Sequence, residues 1–506
     1  MKLAELIANG DVRHIEGDSA VEITGLAYDS RKTNPGDLFF STARDSVQNR
    51  ANIEHALSRG ARAVVVKGWD GAAARPAATI VECERPRLLM GVAASRFYDA
   101  PSQRIDLIGV TGTSGKTTTT YLLSSIFEAA GIASGIIGTI GIFVGGRKLY
   151  SGLTTPESID FEAALAAMEQ AGVQMAAAEI SSIGLAEQRV EELNFRACVF
   201  TNLGRDHLDY HGTLEEYFAA KLRLFTELLP RSVHPEAIAV VCGDDPYGRR
   251  VLEGVGGRKI SFGLERGLDV YPINFSAGLN GIRASIEACG RKFEIQSPLL
   301  GEINLRNILG ASAVSVALGI DADAVVDGVR RCPGAPGRLE ALPGPAGVKV
   351  LVDYAHKPDA LKAVLEALRA LEPRRLLCVF GCGGDRDRGK RPIMGEIAGR
   401  LADLAILTSD NPRTEDPLRI IAEVEAGLTA PGLRRIEERA AASDSGYVVE
   451  PDRRAAIAIA LRVARPGDII VVAGKGHEDY QLVAGRRLDF DDRVAVRELV
   501  AGMNAR

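Results

Sequence analysis

The stretch "RIDLIGVTGTSGKTTTTYLLSSIFEAAG" (104–131) constrains this chain more than any other. An apolar run suited to a buried strand ends in a Gly-rich turn, and a helical pattern starts directly behind it. Successive backbone N–H groups in such a turn, together with the first turn of the helix, cradle anionic phosphates. In that geometry Lys116 reaches the β- and γ-phosphates and the Thr117 hydroxyl ligates Mg2+. A strict phosphate-loop pattern needs a Gly five residues before Gly115, where Val110 stands. The shorter G-x-x-G-K-T remains, formed by Gly112, Gly115, Lys116 and Thr117, with Thr113, Ser114 and Thr118 completing the loop. The alternative is a Gly-rich turn with an incidental Lys; the strand before and the helix after favour nucleotide binding.

A strand and helix joined this way belong in a larger sheet. The runs "MAAAEI", "ACVFTNL" and "AIAVVC" alternate with helical stretches, which predicts a mostly parallel sheet with right-handed crossovers. Upstream, "VEITGLAYDSRKTNPGDLFF" gives short strands and turns before the helical "NIEHALSRGA" and the strand "AVVV". Downstream of the Pro/Gly cluster "CPGAPGR" (332–338), the runs "KVLVDY", "RLLCVFG", "LAILTS" and "IIVVAG" resume the alternation. Between the first two, Leu361, Val364, Leu365, Leu368 and Leu371 recur at helical spacing. The expectation is an α/β protein of three domains: a small N-terminal α/β domain (1–102), a central phosphate-loop domain with a parallel sheet (103–335), and a C-terminal doubly wound, Rossmann-like domain (336–506). At 506 residues and 46 % apolar content the chain has material for several cores.

Composition narrows the function. A net charge of −5 argues against a nucleic-acid binder, while anionic small substrates remain open to local basic loops and helix N-termini. The start "MKLAELIANGDVRHIEGD" has no apolar stretch long enough for a signal peptide or a membrane span, so the cytoplasm is expected. Seven cysteines are scattered singly with no CxxC pair, which predicts buried thiols in a reducing compartment and neither a zinc site nor a disulfide framework.

Three further stretches carry chemistry. Glu179 ends the apolar run of "AAAEISS", a usual place for an acidic Mg2+ ligand beside a phosphate loop and equally a place for a capping or ion-paired carboxylate. In "TNLGRDHLDYHGTLEEYFAAKLRLF", Asp206, His207, Asp209 and His211 crowd one strand-to-helix turn. Such a His is often merely hydrogen-bonded, and Lys221 in the following helix reads by itself as a solvated residue. In "SDNPR", Asp410 and Arg413 sit three apart on a turn at a strand's carboxyl end, where open α/β sheets bind ligands. Pro412 stiffens that turn, Asn411 can bond its own backbone, and the planar fork of Arg413 suits a carboxylate. The alternative is a plain solvated turn.

In combination, "DSRKTNPGDLF", "GTSGKTT", "TTPES", "EISS", "TNLGRDHLDYHGT", "GEINLRN", "PGRLE", "VDYAHKPDAL", "FGCGGDRDRGKRP", "SDNPR" and "GKGHEDYQ" resemble the Mur ligases over nearly the whole chain. These are the ATP-dependent enzymes that add amino acids to the peptidoglycan precursor, and the set is most similar to the branch adding meso-diaminopimelate to UDP-N-acetylmuramoyl-L-alanyl-D-glutamate. The resemblance implies ATP and Mg2+ as cofactors, with Glu179 and His207 as Mg2+ ligands beside Thr117. It implies that Lys221 is carboxylated by CO2, turning an ammonium into an anionic oxygen ligand. Lys116, Lys221 and His207 then serve catalysis. Asn304 and Asn307 match positions near adenine, and Arg338 faces the ATP phosphates. Ser30 matches a contact to the uridine diphosphate, and Thr154, Thr155, Ser181 and Arg189 match peptide and muramoyl contacts. Arg386, Asp410, Asn411, Pro412, Arg413, Gly474 and Glu478 match the site of the incoming amino acid. A monomer is expected.

Several positions depart from that pattern. The segment "FSTARDSVQNRANI" replaces a Gly-rich "DGH"-type loop, Ile183 stands where His is frequent, Glu187 where Gln is sometimes found, and Cys242 where Asn is common. They cluster on the nucleotide-sugar side, where Ser30 with Arg44 or Arg50 would supply the anchoring contacts. The implied reaction is phosphoryl transfer to a carboxylate, attack of an amine on the acyl phosphate, and closure of the three domains around the reactants. Competing expectations are addition of L-lysine, a carboxylate acceptor other than a UDP-sugar, and a nucleotide-binding scaffold without turnover.

Overall fold

The computed structural model describes residues 1–43, 46–68, 78–150, 152–442 and 444–504. Two compact units divide the chain: Met1–Pro272 with Glu287–Lys292 and Leu309–Gly328, and Ile273–Ile286 with Phe293–Ile308 and Val329–Arg506.

The first unit begins with α1 (Leu3–Leu6) and the strands β1 (Val12–Glu16), β2 (Gly25–Ala27) and β3 (Asp37–Phe40). Helix α2 (Ser46–Ser58), strands β4 (Ala63–Val66) and β5 (Thr79–Cys83) and helix α3 (Pro86–Phe97) follow. The strand order is β1-β5-β4-β3-β2, parallel except for β1. β3 and β4 are buried along their whole length because both faces are covered. Leu38, Phe40, Ala63 and Val65 enter one apolar cluster with Leu89 and Met90 of α3, while Phe39, Val64 and Val66 enter another with Ile53 and Ala56 of α2. Adjacent strand residues point to opposite faces, so one run of apolar residues feeds two cores.

The central sheet is built on β6 (Asp106–Thr111), which leads through the phosphate loop into α4 (Lys116–Ala129). Strands β7 (Ser134–Gly138), β8 (Gly141–Val144) and β9 (Arg147–Tyr150), then α5 (Ser158–Gln170), β10 (Met175–Glu179) and α6 (Ser182–Ala186), come next. They are followed by β11 (Phe195–Phe200), α7 (Leu208–His211), α8 (Leu214–Arg223), β12 (Ile238–Cys242), α9 (Pro246–Gly254) and β13 (Arg258–Phe262). β6 lies between β10 and β11, and β7, β10, β6, β11, β12 and β13 are all parallel. The crossovers place the carboxyl ends of β6, β10 and β11 side by side, which brings together the phosphate loop, Glu179 and the segment after Phe200. β14 (Val270–Gly278), β15 (Gly281–Ala288), β16 (Arg291–Ser297), α10 (Gly301–Ala317) and α11 (Ala322–Arg331) follow in the chain.

Residues 1–102 and the central sheet share one compact unit, and α5 gives the reason. Its Ile159 packs into the N-terminal core while Phe161, Leu165 and Met168 pack into the central one. The Tyr28 hydroxyl donates to Asp160 of the same helix.

The second unit is doubly wound, as the sequence predicts. β17 (Glu340–Leu342) pairs antiparallel with β18 (Lys349–Asp353). After α12 (Pro358–Arg369) come β19 (Leu376–Phe380), α13 (Lys390–Leu401), β20 (Leu404–Leu407), α14 (Pro417–Thr429) and β21 (Gly446–Val449). α15 (Arg453–Val463), β22 (Ile469–Ala473), the hairpin β23 (Tyr480–Val483) with β24 (Arg486–Asp489), and α16 (Asp492–Asn504) complete it. The order is β17-β18-β22-β19-β20-β21. Leu351, Cys378, Ala405 and Val471 face α12, α13 and α14, whereas Val350, Val379, Ile406 and Val472 face α15 and α16.

Helices α13 and α14 approach at glycines. A Cβ on Gly427 would lie 1.8 Å from the Pro392 carbonyl oxygen, and one on Gly395 would lie 2.1 Å from that of Val424. Both obstacles are backbone, which cannot swing aside. Gly427→Ala is expected to lower stability by about 1–3 kcal/mol, the range for overpacking a close contact; urea unfolding with an unchanged midpoint would refute the contact.

Candidate active site

The phosphate loop is braced by the strand beside it. Gly112 has φ 147°, and a Cβ there would lie 1.9 Å from the Thr201 hydroxyl oxygen. That hydroxyl donates to the Ser114 carbonyl (2.6 Å), the Ser114 amide donates to Asn202 Oδ1 (2.9 Å), and the Thr113 amide to the Asn202 carbonyl (2.9 Å). Thr201 and Asn202 thus fix the loop's amides, a role the sequence reading did not assign to them. Lys116 Nζ folds onto its own loop, donating to the carbonyls of Gly112 (2.7 Å) and Thr113 (3.0 Å). Thr117 and Thr118 are buried in the first turn of α4.

Glu179 lies buried at the end of β10. It accepts from the hydroxyls of Thr117 and Thr139, both at 3.0 Å, and from the Thr139 amide at 2.9 Å. Thr139 in turn shares a hydrogen bond with Thr154 (3.0 Å). The Thr155 hydroxyl donates to the Glu179 carbonyl (2.8 Å) and accepts from the Ser181 amide (2.8 Å), and Arg189 reaches the Thr155 carbonyl at 3.2 Å. Thr154, Thr155, Ser181 and Arg189 therefore form one connected hydrogen-bonded group with Glu179.

Lys221 is not a solvated helix residue. A capping box of Thr213 and Glu216 fixes the start of α8. Lys221, two turns on, is 1 % exposed and donates to the Gly112 carbonyl at 2.9 Å. Burial, with the charge of Lys116, drives its ammonium well below the ordinary lysine range, and Asp206 opposes this only in part. One helical turn earlier, Tyr217 sits 4.6 Å (ring centroid) from Lys221 Nζ and bonds the Thr113 hydroxyl at 3.1 Å. Its own hydroxyl is pushed up to about 12 by burial. Sequence reasoning missed Tyr217; its i, i+4 spacing to Lys221 is the signal that places both on one face.

His207 begins α7 in a left-handed conformation (φ 53°) and lies 3.5 Å from Asp206. The His211 ring shares a hydrogen bond with Ser182 (2.9 Å) and is held below the ordinary imidazole range, first by burial and then by Lys221. Among the described residues no three His, Cys, Asp or Glu side chains gather into a cage for a metal. The adjoining oxygens of Thr117 and Glu179 (3.0 Å) suit Mg2+, a cation that takes carboxylate oxygens together with phosphate and water. Ser30, buried in the first domain, meets His55 of α2 at 3.2 Å. Arg50 is exposed, and Arg44 lies outside the described residues.

In the second unit, Arg386, the 410–413 turn, Gly474 and Glu478 follow the carboxyl ends of β19, β20 and β22, while Asn304 and Asn307 lie on α10 and Arg338 just before β17. Asn304 and Asn307 are buried and joined by a 3.1 Å hydrogen bond. The Arg338 guanidinium stands 5.0 Å from the Tyr354 ring centroid. The "SDNPR" turn is anything but plain. Asn411 donates to Glu478 (2.9 Å) and accepts from the Leu482 amide (2.9 Å). Lys475, fully buried and unassigned by the sequence reading, donates to Glu478 (3.1 Å) and Asn411 (3.3 Å). Arg413, at φ 55°, places Nη1 on the Gly384 carbonyl at 2.7 Å. Asp410 is buried with Oδ2 lacking a hydrogen-bond partner, and Gly474 (φ 121°) leaves it room, since a Cβ there would come within 2.5 Å of that oxygen. Pro412 is buried, and Arg386 is exposed on the loop after β19.

This arrangement has close relatives. A model of the Mur ligase middle domain matches residues 110–315, and one of the Mur ligase glutamate ligase domain matches residues 337–476. A UDP-N-acetylmuramoyl-L-alanyl-D-glutamate--2,6-diaminopimelate ligase of Geobacter metallireducens is 43 % identical over 507 residues, covering 99 % of both chains. The chain belongs to the Mur ligase family. Mur ligases are ATP-dependent, amide-forming enzymes, and this ligase keeps the family's architecture throughout. A ligase of the same name from Synechococcus elongatus is 41 % identical over 510 residues, again covering 99 % of each. A solved structure of such a ligase superimposes with a TM-score of 0.70 at 33 % identity, covering 100 % of this chain and 99 % of the other.

Gly112 is the position where the ligase's loop tolerates least. Gly112→Ala would force a side chain into the left-handed backbone region and against Thr201, and ATP affinity by titration calorimetry is expected to fall about tenfold or more. Affinity within twofold of the parent would mean the loop does not hold the phosphates.

Proposed function

We propose that this Mur ligase adds meso-2,6-diaminopimelate to UDP-N-acetylmuramoyl-L-alanyl-D-glutamate in the cytoplasm, as a monomer, making a peptidoglycan precursor. The observation that carries this reading is the buried Lys221 bonded to the carbonyl of the phosphate loop's first glycine. A scaffold that merely binds nucleotide has no use for an amine desolvated there. The relatives' shared activity supports the choice of substrates. We divide the work among residues 1–102 for the UDP-substrate, 103–335 for ATP and 336–506 for the amino acid. No helix among the described residues is long and apolar enough to cross a membrane.

A carboxylate is a poor electrophile toward an amine, and phosphorylation gives it a good leaving group. The carboxylate oxygen attacks the γ-phosphorus of ATP and ADP leaves. The loop amides and Lys116 hold the transferring phosphate, with Thr113, Ser114, Gly115 and Thr118 shaping the cradle. Thr117, Glu179, His207 and a carboxylated Lys221 would hold Mg2+, which adds positive charge where negative charge develops. Neutral Lys221, the form burial favours, attacks CO2 and loses one proton to become a carbamate. Asn304 and Asn307 would contact the adenine and Arg338 the phosphates. Ser30 would anchor the uridine diphosphate, and Thr154, Thr155, Ser181 and Arg189 the muramoyl peptide. The amine of the incoming residue then attacks the acyl carbon, and the tetrahedral intermediate expels phosphate.

Selection of that residue falls to the second unit. Diaminopimelate differs from lysine by a second carboxylate beside the distal amine. Arg413, on a turn fixed by Pro412 and Asn411, would bind that carboxylate, exchanging the Gly384 carbonyl for a charged acceptor. Glu478 would take the distal ammonium, Asp410 and Gly474 would line the same pocket, and Arg386 would hold the carboxylate beside the reacting amine.

Phosphate release with the UDP-dipeptide and a panel of amino acids tests the whole reading. Diaminopimelate should be the preferred partner; equal use of lysine would defeat the clamp. Arg413→Ala should lose about 2–4 kcal/mol in kcat/KM for diaminopimelate, the scale for unmatching one member of a hydrogen-bonded charge pair. Its activity with lysine, poor in the parent, should change far less. Lys221→Ala should keep ATP binding and lose most turnover, with short carboxylic acids restoring part of it. Near-parental rates in Lys221→Ala would remove the carbamate from the mechanism.

A further inference from the structure

An arginine of the first domain, Arg87, lies on α3 and is absent from every role given above. It is only about one quarter exposed, and its guanidinium meets two carboxylates beside the central sheet: Glu157, at the start of α5, at 2.6 Å and Glu187, at the end of α6, at 3.1 Å. Glu157 is buried and uses its other oxygen for Arg189, at 3.1 Å. Arg189 continues to the Thr155 carbonyl, and the Thr155 hydroxyl to the Glu179 carbonyl. The second branch runs from Glu187, just past the end of α6, to the hydroxyl of Tyr210 on α7. Tyr210 packs edge-on against His211 at 4.8 Å.

We propose that Arg87 is a positioning residue for the UDP-substrate site: through Glu157 it sets the orientation of Arg189, and through Glu187 it ties the α7 turn to the first domain. Two cations and two carboxylates alternate along this ladder, so the group is neutral as a whole. Removing Arg87 leaves Glu157 with Arg189 as its one remaining ion-pair partner in the ladder. Arg189 is then drawn toward a carboxylate with excess charge and away from the peptide it faces. A glutamate at 187, in place of the glutamine sometimes found in the family, supplies the charge that makes the second branch an ion pair. The proposal rests on the reading of Arg189 as a substrate contact.

Steady-state phosphate release with full-length enzyme separates the possibilities. Arg87→Met is expected to raise KM for the UDP-dipeptide about 10- to 100-fold, the cost of misplacing a binding group slightly, and to leave KM for ATP within about twofold. Arg87→Lys, which keeps the charge without the fork, should recover part of the loss and serves if Arg87→Met folds poorly. In an Arg189→Ala background, Arg87→Met should add less than about threefold, because both act through one contact. Independent, multiplicative effects, or equal losses for ATP and the UDP-dipeptide, would overturn the linkage. So would a shifted KM in Arg189→Ala beside an unshifted one in Arg87→Met. An Arg189→Ala enzyme with unchanged KM for the UDP-dipeptide would remove the substrate contact itself, and the proposal with it.

Discussion

The carbonyl oxygen of Gly112 receives two lysine amines, Lys116 at 2.7 Å and Lys221 at 2.9 Å. Two full positive charges cannot share one dipole in a desolvated site at small cost, and the structure resolves this by driving the buried amine toward neutrality. The consequences spread outward. A glycine is needed where no Cβ fits, Thr201 and Asn202 must hold the loop from the next strand, and Glu179 must face Thr117 to complete the oxygen donors. The order of β10, β6 and β11 in the sheet is what sets these three segments side by side.

The second unit handles charge by a different rule. There Glu478 and Arg413 have partners within the protein, Glu478 against Lys475 and Arg413 against backbone carbonyls, while Oδ2 of buried Asp410 has none. On the proposed reading, an incoming zwitterion would exchange these internal partners for charged ones.

Much of this could be read from the sequence because strong local patterns coincide with tertiary demands. The strand, turn and helix around Gly112–Lys116 follow from the positions of glycines and apolar residues, and the alternating runs in 336–506 do give a doubly wound sheet. Lys221 could be singled out only by resemblance, since its surroundings come from segments some hundred residues away. Tyr217, Thr139 and Lys475 escaped for the same reason: each is an ordinary residue until the sheet brings a neighbour to it. Helix α5 contributes Ile159 to the N-terminal core and Phe161, Leu165 and Met168 to the central one, a sharing that no local pattern around residue 102 announces.

The turn carrying Arg413 has a consequence for redesign. The Arg413 amide donates to the Leu482 carbonyl, its carbonyl accepts from Gly485, and Asn411 bonds the Leu482 amide. Asp410, Asn411 and Arg413 are thus laced into the β23–β24 hairpin, and the turn's shape depends on it. Moving the motif alone into another Mur ligase would transplant the letters without their geometry. On the proposed role of Arg413, the unit to exchange between such enzymes is the turn together with residues 474–489.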